Sequence, residues 1–587
     1  MGHLFSKTKF SHADLVGTFE GQLKERYDIV RQIGAGRQGR AYIVRPKTSK
    51  TKPDADQAET LFVAKETKEI TDYAFSDLLN EFEHMKRLQH PNITKVVELV
   101  QAKEMVNEEW RDRLYVISEL AAGSDLLQYM TKMIEHGTPI GEGWVAGACL
   151  QIMGGVAYLH SHSVVHGDLK PDNFLCIQEF QPQDPLRVPW VTVADFGCAK
   201  VNGDREFVCG DPRYQSPETF RVLMATLKEE RQKAAALNRC VDFRADVWSL
   251  GVTLFELLSG GTIPFLYEAI QLDDVTQDAH RWEKLKKGIL EEDLLVEPYL
   301  EGSSEEAKTL LRMLLDKDPD KRPTAGEATK DPWFTEHTDC AISASNLAKL
   351  EFKKSKGMAH TLLLNALATK LKRDYYQDSW KVFQKFDTDV DGGLSLQEFR
   401  KACKELMKKP SSGRLCSKSV SGATDRIDHI FKISDVDNDG VLNFPEFVAV
   451  TFDWNSVERS ELQRTLKQLF NTLDKDRNGQ VNLEELGATF QGALSGEELQ
   501  EAFARIDASH TGYLTMEELD AYLFKAMTDD DLKRYCSAAS LEQVRKFRLK
   551  GRRKSQRSLQ IDVAHVAAPA CFAFTIGACL IGVFKLV

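Results

Sequence analysis

Four twelve-residue loops of one design recur between Asp387 and Glu518, and no other feature of the chain restricts its fold as tightly. They read DTDVDGGLSLQE (Asp387–Glu398), DVDNDGVLNFPE (Asp435–Glu446), DKDRNGQVNLEE (Asp474–Glu485) and DASHTGYLTMEE (Asp507–Glu518). Oxygen-bearing side chains stand at positions 1, 3 and 5, glycine at 6 and glutamate at 12. A hard cation the size of calcium takes about six to eight oxygens at roughly 2.3–2.6 Å, and a loop of this length between two helices delivers them. The expected ligands are Asp387, Asp389, Asp391 and Glu398; Asp435, Asp437, Asp439 and Glu446; Asp474, Asp476, Asn478 and Glu485; Asp507, Ser509, Thr511 and Glu518. Carboxylates in these sets number four, four, three and two, so the fourth loop is expected to bind calcium most weakly. Position 8 is apolar throughout (Leu394, Leu442, Val481, Leu514), which suits a short β contact between paired loops. Residues 374–526 are therefore expected to be an all-α array of calcium-binding helix pairs, the EF-hand arrangement.

Upstream, from Tyr27 to about Phe334, strand-like and helical runs mix. IGAGRQGRA places Ile33, Gly34, Gly36, Gly39 and Ala41 where a turn brings backbone amides close to phosphate oxygens. FVAK puts Lys65 on a strand, suited to the α- and β-phosphates of ATP, with Glu81 on a following helix to hold it. HGDLKPDN supplies Asp168 to accept a hydroxyl proton, Lys170 to neutralise the γ-phosphate and Asn173 to hold magnesium, and ADFG supplies Asp195 as a second magnesium ligand. Phosphoryl transfer is mostly positioning and charge neutralisation, so it needs these cations, carboxylates and amides together. Any one of these pieces occurs in ordinary turns; five in this order do not.

On these motifs the chain resembles the protein kinase family. DVWSLG (Asp246–Gly251) resembles its central helix, and Arg322 of DKRPT resembles the arginine that pairs with the glutamate here numbered Glu218. The context of Lys170 resembles serine/threonine kinases. Kinase, basic helical junction and four EF-hands together resemble the calcium-dependent protein kinases of plants and protists, over roughly residues 27–526. The resemblance implies a bilobal α+β kinase fold followed by an all-α calmodulin-like domain, with Ile33 to Ala41, Lys65, Glu81 and the hinge residue Glu119 around ATP. It also implies an autoinhibitory junction that calcium withdraws. Lys349, Lys353, Lys354 and Lys356 have the charge of a basic substrate, while Leu347, Phe352, Met358 and Leu362 are suited to an opened EF-hand groove.

Three departures stand out. Gly167 replaces the arginine that reads activation-loop phosphate, and Cys198 to Gln215 contains no Ser or Thr, so control by loop phosphorylation on those residues is not expected. Asp211 takes the place of a threonine near the base, where a second carboxylate is expected to repel Asp168 or compete for Lys170. Ser118, before Glu119, is a small gatekeeper. Asp125 and Asp172 lie where basophilic relatives place glutamates, so protein substrates with Arg or Lys upstream of the acceptor are expected.

Composition settles what surrounds these domains. The 587 residues carry a formal charge of −11, which argues against general nucleic-acid binding. Eleven cysteines without a CxxC pair fit reduced thiols. The chain opens MGHLFS, a myristoylation pattern with Gly2 as acceptor. Eight bases and no acid lie in 545–557, followed by Ala564–Phe584, 21 residues without formal charge. At about 1.5 Å per residue that run is long enough to span a bilayer, which makes it a tail anchor contacting membrane lipid with the other domains on the cytosolic side. The expected organisation is a leader (1–26), kinase domain (27–334), junction (335–373), EF-hands (374–526), basic juxtamembrane segment (527–562) and transmembrane tail (563–584). The leading functional expectation is a calcium-activated serine/threonine kinase using ATP, Mg2+ and Ca2+. The alternative is a weakly active or inactive kinase fold serving as a membrane-tethered calcium sensor or scaffold.

Overall fold

The computed structural model describes residues 17–36, 39–47, 61–67, 82, 86–106, 109–201, 210–238, 241–338, 358–407, 420–476, 478–490 and 493–524, all within one unit of the chain. Gly2, Glu81, Leu347, Lys349, Phe352, Lys353, Lys354, Lys356, the basic segment and the run Ala564–Phe584 lie outside them.

Among the described residues the amino-terminal lobe carries six strands: β1 (Gly17–Glu20), β2 (Tyr27–Gly36), β3 (Gly39–Pro46), β4 (Phe62–Thr67), β5 (Val96–Val106) and β6 (Glu109–Glu119). Their order is β1-β5-β6-β4-β3-β2, antiparallel except where β1 runs beside β5 with Gly17 opposite Glu98. Strand alternation carries Val44, Ala64, Val100, Tyr115 and Ile117 into one core. Residues 17–26, expected in a leader, instead belong to this lobe. Leu23 is buried, Phe19 packs against the core, and the Tyr27 hydroxyl donates to Glu98 at 2.8 Å, with Arg26 on the same carboxylate. Two apolar residues in ten make no periodic pattern, so the sequence carries little sign of this docking.

The second lobe is helical. Its central helices are Glu142–Ser161 and Arg244–Leu258, buried around almost their whole circumference, and Trp248 stacks on Phe265 at 5.5 Å. Two short hairpins matter for chemistry. Phe174–Cys176 pairs with Val191–Val193, and Val164–Val165 with Lys200–Val201. Cys198 is disulfide-bonded, a departure from the reduced thiols expected of the set, while Cys149, Cys176 and Cys403 are free and buried.

In the third region two helices flank each acidic loop, from Arg373–Phe386 around the first to Gly496–Ile506 and Met516–Phe524 around the fourth. The loops associate in pairs: Leu394 lies opposite Leu442, and Val481 opposite Leu514, all four buried. A further helix, Met358–Ala368, packs against helices of both pairs and is buried continuously from His360 to Ala368. Burying Leu362, Leu363 and Leu367 contributes about 1.5–3 kcal/mol each, which holds this end of the junction among the EF-hands. Among the described residues no helix is long and apolar enough to cross a membrane.

Candidate active site and calcium loops

Asp168 sits between the two hairpins, 6% exposed. Lys170 Nζ lies 3.2 Å from its Oδ2, and the Asn173 amide donates to its carbonyl at 2.6 Å and to Oδ2 at 3.3 Å. That orientation turns the Asn173 amide oxygen the other way, as metal ligation requires. Asp246 fixes the segment from below: its oxygens accept the His166 and Gly167 N–H groups at 2.8 and 2.9 Å and the His160 ring at 2.9 Å. Burial pushes the Asp246 carboxyl up, but the His160 and His166 partners and these amides hold it below its ordinary value. Gly210 has φ of 93°, and a Cβ there would meet the Gly167 carbonyl at 2.6 Å and Asp168 Oδ1 at 3.1 Å, so only glycine lets these segments close on Asp168.

Across the site, Lys65 on β4 reaches Asp195 Oδ1 at 2.5 Å. Burial raises the Asp195 carboxyl; the Lys65 ammonium and the Gly197 N–H outweigh it, so Asp195 stays anionic and fit to hold a divalent cation. His166 Nε2 donates to the Ala194 carbonyl at 3.0 Å and the ring packs on Phe196, which fixes the turn carrying Asp195. Gly34 and Gly36 on β2 lie opposite Ala41 and Gly39 on β3. A Cβ built on Gly34 meets nothing within 4 Å, so the hairpin leaves open space there. Ile33 is exposed on the same strand.

One placement corrects the expectations. The Asp211 carboxylate neither faces Asp168 nor competes for Lys170. It is held by Arg213, Nε at 3.1 Å and Nη2 at 2.7 Å, while the Asp211 N–H donates to Asp168 Oδ1 at 3.0 Å. The pair neutralises the charge that was expected to interfere. The carboxylate of Glu119, expected at the hinge, is engaged by Arg373 and the Lys95 N–H. Arg322 and Glu218 form a bidentate pair at 2.7 and 2.9 Å. Asp125 caps the helix Leu126–Glu135 by accepting from Gln128 N at 2.9 Å. Burial, then the nearby Asp172 charge, raises its carboxyl. Glu256, bonded to the Tyr214 hydroxyl at 2.7 Å, is pushed by burial up to about 7, with Asp172 and Asp211 adding to the rise against Arg213. Sequence reasoning missed Glu256, Arg213 and Arg373; the only local sign of any is the Asp-Pro-Arg order of 211–213.

In the calcium loops, the N–H of Gly392, Gly440, Gly479 and Gly512 donates to the first aspartate of its loop at 2.9–3.1 Å. The twelfth residue caps the exiting helix: Asn443 with Glu446 and Asn482 with Glu485 make reciprocal capping boxes. Asp387, Asp389 and Glu398 converge within 4.8 Å, as do Asp435, Asp437 and Glu446, and Asp474, Asp476 and Glu485. Burial and mutual repulsion push Asp387 up to about 8 and Asp437 up to about 7. Such strain is what a bound divalent cation relieves, so the donor sets fit calcium. The fourth loop fills its third and fifth positions with Ser509 and Thr511, whose hydroxyls lie 3.3 Å apart.

Residues 27–334 match the protein kinase domain family, 379–451 an EF-hand domain pair and 466–490 an EF hand. Calcium-dependent protein kinase 11 of Oryza sativa subsp. japonica is 27% identical over 79% of this chain and 70% of its own. Calcium-dependent protein kinase 21 of Arabidopsis thaliana is 26% identical over 81% and 78%, and calcium-dependent protein kinase 3 of Plasmodium berghei (strain Anka) is 26% identical over 81% and 82%.

Proposed function

This chain belongs to the protein kinase family, in the kinase-then-EF-hand order of the calcium-dependent protein kinases, and we propose that it transfers the ATP γ-phosphate to serine or threonine hydroxyls under direct calcium control. One observation carries the reading: Asp168, Lys170 and Asn173 converge in one site, with the Lys65–Asp195 pair for the nucleotide end. Asp168 takes the proton from the attacking hydroxyl. Lys170 neutralises charge on the phosphoryl group, and Lys65 holds the α- and β-phosphates. Asn173 and Asp195 would hold magnesium, which when bound screens the phosphate charges.

The crowding of Asp125, Asp172 and Glu256 supports substrates with basic residues near the acceptor. The burial of Met358–Ala368 among the EF-hand helices supports control through the junction, whose carboxy-terminal end is part of the element that calcium binds. Ala564–Phe584, behind eight bases, supports a membrane tether; carbonate extraction with and without 563–587 tests it. The activity itself is tested by phosphoamino-acid analysis of peptide pools presenting Ser, Thr or Tyr behind Arg, treated with the full-length protein and Mg·ATP. Label on Ser or Thr, enriched behind Arg, is the expected result; label on Tyr alone contradicts it.

A further inference from the structure

We propose that Arg373 is a positioning residue for the nucleotide, tying the calcium-binding half of the chain to the hinge at Glu119 so that ATP affinity and calcium binding are coupled through it. The inference rests on the kinase reading above. Arg373 opens the helix Arg373–Phe386, the first of the EF-hand region, and is 5% exposed. Its Nη2 donates to Glu119 Oε1 at 2.7 Å and its Nη1 to Oε2. The same guanidinium reaches the Pro91 carbonyl through Nε at 3.1 Å and the Ile93 carbonyl through Nη2 at 3.4 Å.

These contacts fall on two backbone segments, the end of β6 at Glu119 and the turn Pro91–Ile93. Glu119 ends β6 directly after Ser118, and it is fastened to Lys95, just before β5, by Lys95 N donating to its carboxylate at 2.7 Å and its own N–H donating to the Lys95 carbonyl at 3.0 Å. Pro91–Ile93 borders the strand that leads into Asp195. Val193 N donates to the Asn92 carbonyl at 2.8 Å, and Thr94 N to the Val193 carbonyl at 2.9 Å. One side chain of the EF-hand region therefore holds both the hinge and the approach to the metal-binding aspartate.

The electrostatics agree with this geometry. Arg373, with the Lys95 charge and N–H adding, outweighs the cost of burial and holds the Glu119 carboxyl below its ordinary value. Nearby Lys95 donates its ammonium to the Thr369 carbonyl at 2.8 Å, again on the EF-hand side. A calcium-driven shift of the helix Arg373–Phe386 has to move this guanidinium or the hinge with it, and coupling of this kind is reciprocal between the two ligands.

The test is Mg·ATP binding to the full-length protein by calorimetry, in calcium and in chelator, for wild type, Arg373→Gln, Arg373→Lys and Glu119→Gln. Wild type is expected to bind ATP with different affinity in the two conditions. Arg373→Gln is expected to weaken ATP in the tighter condition by about tenfold, a typical coupling between sites, and to abolish the calcium response. Arg373→Lys should recover part of both. Combining Arg373→Gln with Glu119→Gln should cost no more than either alone, since the residues act as a unit. In turnover the loss should fall on KM for ATP and not on kcat, a split that a merely structural role would not produce. Wild-type ATP affinity and calcium response in Arg373→Gln, or additive losses in the double variant, would overturn the inference while leaving the kinase reading intact. A wild-type protein that binds no Mg·ATP would overturn both.

Discussion

The Asp211 carboxylate and the Arg213 guanidinium, two residues apart, close on each other, with Nη2 2.7 Å from Oδ2, while Asp211 N–H holds the carboxylate of Asp168, the proposed base, at 3.0 Å. A residue whose charge alone would disturb the base is thereby made part of its support. Arg213→Gln is expected to expose that charge and lower kcat by about tenfold or more, equivalent to ~1.4 kcal/mol or above. Adding Asp211→Thr should restore most of the loss. Steady-state kinetics at saturating calcium checks both, and a wild-type kcat in Arg213→Gln would show that the pair shields nothing.

Asp168→Asn is expected to lower phosphotransfer by about 10²- to 10⁴-fold, the usual range for a lost general base, with Mg·ATP binding nearly unchanged. Asp168 lies on Lys170 and Asn173, whereas Lys65 meets Asp195 across the site. Retained turnover would assign the proton to another group.

The calcium loops should respond unequally. Glu398→Gln and Glu446→Gln are expected to raise the calcium needed for half-activation well beyond Glu518→Gln. The first two loops gather crowded carboxylates, with burial and Asp437 raising Glu446 far above its ordinary value, whereas the fourth loop has only Asp507 and Glu518 to contribute. Equal shifts in calcium titrations of the three variants would refute the charge argument.

Acid should loosen the contact between the lobes and the EF-hand region. His90 is wedged between Tyr158 and Trp380, each with ring centroids 4.9 Å away, and its Nδ1 accepts from Asn92 N at 3.1 Å. Burial, with the His162 and Arg373 charges adding, pushes its imidazole from 6.5 down to about 3. Between those values the unfolded chain binds the extra proton, so stability from this group is present above pH 6.5 and is lost as pH falls toward 3. The slope is at most roughly 1.4 kcal/mol per pH unit. His90→Phe should cost ~1 kcal/mol at neutral pH through the lost hydrogen bond yet flatten this slope, as followed by denaturant melts between neutral and about pH 5. An unchanged slope would mean that His90 takes up no proton on unfolding.

What could be read without a structure was local. Asp168, Lys170 and Asn173 lie within six residues, and each calcium loop within twelve, so backbone geometry alone forces their side chains together. The fourfold register even foretold the Leu394–Leu442 and Val481–Leu514 contacts. What stayed hidden joins distant segments. Arg373 and Glu119 are 254 residues apart, and nothing in either neighbourhood marks them as partners. Asp211 was misjudged for a related reason: spacing places a carboxylate near the base but does not say which way it turns, and a single neighbouring arginine decided that. Residues 17–26 were misplaced because parallel pairing at a sheet edge needs no distinctive side-chain pattern.

The central claim is calcium-controlled phosphotransfer by an intact kinase site, and a calcium titration of the full-length protein tests it most directly. With Mg·ATP and a serine peptide carrying upstream arginines, phosphate incorporation should be near background in chelator and rise steeply as calcium fills the loops. Incorporation that is absent at every calcium concentration, or equal with calcium and with chelator, would contradict the account.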